Sequence, residues 1–274
     1  MRSTIGVASF VLGALLAASA PQPVYAQSQI DIAYEAPADA ALRPIYDQLR
    51  QQGVLQELQL FMEPLRLPRK LTVKTAQCGP DPAPYAPGGP VVVCYEALDQ
   101  VAKLVAQHSR DPTYQQTLIY GAFIETVLHQ MALAIFDTLG VPVWGREYDA
   151  ADRLAALIMT QFGEDVMRTT IESTTQIFQW SDKTWTGRDF ASVASPDAQR
   201  FYNYLCVAYA ASPYDYGYLV RGGTLPSERA DRCDGEYQQI KKAFNLRIMP
   251  YVDPDLLVKA RARRWSVSPP GGNG

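Results

Sequence analysis

"HQMALAIFDTLGVPVWGREYDAAD", from His129 to Asp152, decides how the rest of the chain reads. Its first half continues a run from Tyr114 to Leu139 that is apolar almost all round, the pattern of a buried helix. Gly140 offers a left-handed stop, and Pro142 lacks the N–H that resumption would need. A second helix then starts in "REYDAADRLAALIMTQF", with Glu147 and Asp149 near the positive end of its dipole. The sharp turn lays the two helices side by side, with His129 on the first and a group of acids opening the second.

The chain begins with Arg2, an apolar, small-residue-rich stretch from Ile5 to Ala18, and Val24-Tyr25-Ala26, which together read as an export signal over residues 1–26. That stretch falls short of the roughly 20 residues a spanning helix needs, and no later segment is expected to span. The expectation is an exported protein, periplasmic or extracellular, with no stable membrane insertion after signal removal. Removing 26 of the 274 residues leaves 248, enough for one sizeable core. Residues 27–38 read as a flexible N-terminus, 39–265 as a single domain, and 266–274, "SVSPPGGNG", as a disordered tail. Without Arg2 the mature chain carries 24 cations against 28 acids, a net charge of −4. Its one basic cluster, "KARARR" at Lys259 to Arg264, reads as a solvated final helix, so nothing points to nucleic acid.

Helices are expected from Ala41 to Glu63 with a break near Gly53, from Tyr95 to Gln107, Asp165 to Gln179, Asp197 to Ala211 and Ser227 to Leu246. "WSDKTWTGRDF" and "SPYDYGYLVRGG" read as connections between them. "KLTVKTA" at Lys70 to Ala76 and "PVVVC" at Pro90 to Cys94 read as two strands of a small sheet. Four cysteines suit an oxidising compartment and permit three pairings. Cys78 and Cys94 bracket a Pro/Gly-rich loop, and Cys206 and Cys233 fall on two late helices. No pair has the close spacing of a structural zinc site.

A catalytic zinc helix uses H-E-x-x-H because residues four apart share a face: both imidazoles reach one metal while the Glu between them takes a proton from bound water. Here the helix reads His129-Gln130-Met131-Ala132-Leu133. The chain resembles a family of exported bacterial proteins classed as metallopeptidases, otherwise a domain of unknown function, whose members carry H-E-x-x-H followed by a "P-V-x-G-R-E-E-D-A-A-D"-like segment. The matching stretches are "QCG" and "VVVCYEAL" at Gln77 to Leu98, "LHQMALAIFDTLGVPVWGREYDAADRLA" at Leu128 to Ala155, "QRFYNYLC" at Gln199 to Cys206, and "LPSERADRC" with "EY" at Leu225 to Tyr237.

The resemblance implies a zincin-like, gluzincin-type α+β domain, predominantly α-helical, with a small β-sheet and two local disulfides, Cys78–Cys94 and Cys206–Cys233. Carried over by position, it makes His129 the first zinc histidine, Leu133 the second, Gln130 the general-base glutamate and Tyr148 the third ligand, with Asp152 the acid behind a ligand. If the earlier of the paired acids is the ligand, Glu147 retains it.

The substitutions remove the chemistry. Gln has no basic oxygen near neutral pH, and general-base help is typically worth roughly 10² to 10⁴ in rate. Leu133 has no lone pair, and Tyr148 would coordinate only as a phenolate, normally near pH 10. The other histidine, His108, lies far off in "AQHSRDP". A lone histidine on a buried helix is ordinarily a satisfied core residue, here with Asp152 as its expected partner.

The expected function is therefore an inactive metallopeptidase homologue that binds a peptide or protein and needs no cofactor. One alternative is an active zinc enzyme rearranged around His129, with Glu125, Glu147 and Asp149 as further metal candidates. The other is a structural protein that stabilises a partner.

Overall fold

A computed structural model describes residues 30–80, 85–183, 186 and 189–263. The expected signal (1–26) and tail (266–274) lie outside the described residues.

The axis of the fold is α4 (Pro112–Leu139). Asp111 starts it by accepting hydrogen bonds from the N–H groups of Thr113 and Tyr114, and Pro112 occupies the first turn, where its missing N–H costs nothing. Gly140, at φ 58°, ends it. Buried residues occur all round it between Leu118 and Phe136. This helix is long and apolar enough to cross a membrane, contrary to expectation, but 83% of its apolar window is buried inside the protein. It is the core.

Packed on α4 are α3 (Tyr95–His108), α5 (Glu147–Met159) and α6 (Glu164–Ser181). The contact with α6 is close at Gly121, where a Cβ would stand 2.3 Å from that of Ser173. α7 (Asp197–Ala211) covers α5 and α6 and is itself flanked by α8 (Pro213–Arg221) and α9 (Ser227–Arg247). α8 was expected to be a connection, its glycine and aromatics being poor helix formers. Pro213 in its first turn and the burial of Tyr216 and Leu219, three residues apart on one face, make it a helix. α10 (Pro254–Ala262) contains the basic run's beginning.

The sheet has three strands in the order β1 (Ile30–Tyr34), β2 (Leu71–Ala76), β3 (Val91–Cys94), all parallel, with Ile30 opposite Leu71 and Val73 opposite Val91. β1 corrects the expectation of a flexible stretch to residue 38. Its partner lies some 40 residues away, so only the tertiary pairing makes it a strand. Helices α1 (Arg43–Gln52) and α2 (Val54–Met62), split at Gly53, occupy the crossover from β1 to β2.

The disulfides are Cys78–Cys94 and Cys206–Cys233, with Cα atoms 5.5 and 5.0 Å apart. The first braces the loop between β2 and β3, and the second joins α7 to α9. Both suit an oxidising, exported environment.

Candidate functional site

Glu125, His129 and Leu133 follow one another at four-residue spacing on α4, and α5 and α7 bring their partners to that face. His129 Nδ1 lies 2.7 Å from Asp152 Oδ1, the contact expected from the sequence. Arg200 of α7 grips the same carboxylate from the other side, donating from Nε to Oδ2 at 2.7 Å and from Nη2 to Oδ1 at 2.8 Å. Nη2 also reaches Glu125 Oε1 at 3.0 Å, and Tyr204, one turn further along α7, donates its hydroxyl to that oxygen at 3.0 Å. The guanidinium rests on the Phe178 ring of α6, 4.1 Å from its centroid. Four helices thus converge on one buried ionic cluster, in which Glu125, His129 and Asp152 are 7%, 5% and 1% exposed.

Its electrostatics follow from that geometry. Burial pushes the Asp152 carboxyl up, but the Arg200 charge and hydrogen bonds, together with the His129 contact, more than reverse this and hold it at about 2. Asp152 is therefore an anion that can only accept, so His129 Nδ1 carries the proton and Nε2 is the nitrogen left over. Glu125 has the weaker share of Arg200. Burial raises its pKa, Arg200 only partly offsets this, and the Asp152 charge adds to the rise. Burial and the neighbouring Glu125 hold the Tyr204 phenol well above its ordinary value, so it remains a donor.

The other candidates stand apart from this centre to different degrees. The Tyr148 ring is 5.1 Å from the His129 ring, inclined at 59°. Leu133 is buried in the core at 3% exposure, and Gln130 is half-buried. Asp149 turns to Ser195, accepting its hydroxyl at 2.8 Å, and Glu147 is exposed. His108 lies in the last turn of α3, its Nδ1 2.9 Å from the Leu104 carbonyl oxygen, and stacks on Trp180 with ring centroids 4.5 Å apart. Glu125, a metal candidate from the sequence, is buried and salt-bridged to Arg200.

A family model described as "Putative metallopeptidase" matches residues 34–247. The chain belongs to that metallopeptidase family. No curated protein and no solved structure matches it.

Metallopeptidase membership makes zinc the group to test against this centre. Ligand atoms of Glu125, His129 and Asp152 all lie within 4.8 Å of one another, a spacing that could hold a metal ion. Their hydrogen bonds leave little to coordinate with. Both Asp152 oxygens accept from Arg200, Glu125 Oε1 accepts from Arg200 and Tyr204, and Glu125 Oε2 makes only a 3.5 Å contact with Thr126. A fixed cation already sits between the carboxylates, and an arginine is never neutral to make way for another. At the position that the resemblance assigns to a second zinc histidine, Leu133 offers no donor atom. As hydrogen-bonded here, the residues do not fit zinc.

Arg200, Tyr204 and Phe178 were not legible as members of the centre. The available signal was the "QRFYNYLC" stretch, whose Arg and second Tyr are four apart and share a helix face.

Proposed function

We propose that this member of the metallopeptidase family is an exported, catalytically silent homologue that binds a peptide or protein. The observation that carries the reading is Arg200: its guanidinium supplies the positive charge between Glu125 and Asp152, where a metal drawing on those carboxylates would have to sit. Gln130 and Leu133 support it independently, one lacking a base and the other a ligand atom. Export is supported by the two disulfides and by the signal-like residues 1–26. The 4.8 Å spacing of Glu125, His129 and Asp152 favours the rival reading, a rearranged zinc peptidase.

The test is zinc content of the purified mature protein after zinc exposure and dialysis, beside His129→Ala, followed by assays on a mixed peptide substrate. The expected result is no stoichiometric zinc in either and no zinc-dependent hydrolysis. About one zinc per chain that disappears with His129, together with chelator-sensitive hydrolysis, would establish the rearranged enzyme instead.

A further inference from the structure

Two adjoining concavities flank α9, one between it, α5 and α7, the other between it, α5 and the loop that follows α4. One, of about 610 Å³, is lined by Arg153, Arg229 and Arg232 with Glu236 as its one acid. The other, of about 500 Å³, is bordered by Val143, Trp144, Ile240 and Phe244. Arg153 and Glu236 line both, so the two form one groove with a basic end and an apolar end.

The basic end has donors to spare. Arg229 is committed, giving two hydrogen bonds to Glu236 at 2.8 and 2.9 Å and one to Asn203 Oδ1 at 3.4 Å. That pairing consumes the only acid in the lining, and among the described residues no carboxylate pairs with Arg153 or Arg232. Asn203 also lines this end and is only 7% exposed, yet its Nδ2 is buried with no hydrogen-bond partner. Three cations against one acid, in a chain of net charge −3, are a local inversion of the protein's own sign. At the apolar end Trp144 is 96% exposed, an aromatic of the kind that anchors protein interfaces.

We infer that this groove binds a peptide carboxylate, with Arg153 and Arg232 pairing the anion and the neighbouring apolar side chain packing beside Trp144. Guanidinium forks match a carboxylate's two oxygens, and the spare Asn203 amide adds a neutral donor. Charge complementarity selects an anion, and the continuous apolar wall selects a peptide over a free inorganic ion. The inference rests on the binding role proposed above and places it away from the His129 helix face.

The probe is a library of random dodecapeptides with free C-termini, selected on the full mature protein. Enriched sequences are then resynthesised as free acids and as C-terminal amides. Enrichment of an apolar residue beside a carboxylate is expected. Binding should weaken about tenfold or more in Arg153→Gln/Arg232→Gln, the loss of charged hydrogen bonds, should weaken in Trp144→Ala, and should fall with added salt. Amides that bind much more weakly identify the C-terminal carboxylate as the anion. Amides that bind equally while the double arginine variant does not identify an acidic side chain. Inorganic phosphate displacing the peptides at equal concentration would reduce the site to a general anion pocket and overturn the peptide assignment. Peptides that bind wild type and both groove variants alike would overturn the groove and leave the binding role standing. No enrichment at all would overturn both.

Discussion

Arg200 holds Asp152 through two parallel hydrogen bonds of 2.7 and 2.8 Å while one of the same nitrogens reaches Glu125 at 3.0 Å, so a single guanidinium ties α7 to both α4 and α5. Arg200→Met would keep much of the stem's volume and leave two carboxylates facing one another away from water. Unfolding in urea should show a loss of about 3–5 kcal/mol. Replacing Glu125 and Asp152 by their amides in the same chain should recover a large part of it. A loss below about 1 kcal/mol would mean that water already screens the cluster.

The two acids should act on stability in opposite directions with pH. Asp152 is depressed to about 2 from an unfolded value of about 3.9. Its contribution, on the order of 2 kcal/mol, is complete above the unfolded value and is lost as pH falls through 2. Glu125 is raised, so its folded form holds a proton more tightly than the unfolded chain does. Its contribution is present below its unfolded value of about 4.3 and is lost as pH rises through the folded one. Urea midpoints measured against pH should show a flatter acid limb for Asp152→Asn and a shallower decline above about pH 4 for Glu125→Gln.

Placing the donors that the resemblance implies at positions 130, 133 and 148 tests whether the residues now there are what keeps zinc out. Leu133 lies one turn from His129, and Tyr148 stands against the His129 ring at 5.1 Å. The triple variant Gln130→Glu/Leu133→His/Tyr148→Glu should bind about one zinc per chain by elemental analysis, where the parent is expected to bind none. A folded variant that still refuses zinc would direct the third ligand to Glu147.

Gly121 is expected to tolerate no side chain. Alanine usually favours a helix over glycine by about 1 kcal/mol, yet here its Cβ would stand 2.3 Å from Ser173 Cβ and 2.7 Å from its Oγ. Gly121→Ala should therefore destabilise by roughly 1–3 kcal/mol in thermal or urea unfolding. Adding Ser173→Gly should return part of that loss, because it removes the colliding atoms.

The sequence by itself determined the helix pair around Gly140, the strands at Lys70 to Ala76 and Pro90 to Cys94, and the break at Gly53, since periodicity, glycine stops and β-branched runs act over a few residues. It also carried the resemblance that led to the family, and it showed that Gln130 and Leu133 cannot do what glutamate and histidine do there, because donor atoms belong to the residue type. Tertiary structure alone decided the rest. β1 becomes a strand only when β2 arrives from 41 positions away, and α8 becomes a helix because Tyr216 and Leu219 find a core. Glu125 turns from an ordinary acid into a buried one because Arg200, 75 residues further on, is folded against it. Burial and charge pairing are properties of neighbours in space, and no local pattern in the chain records them.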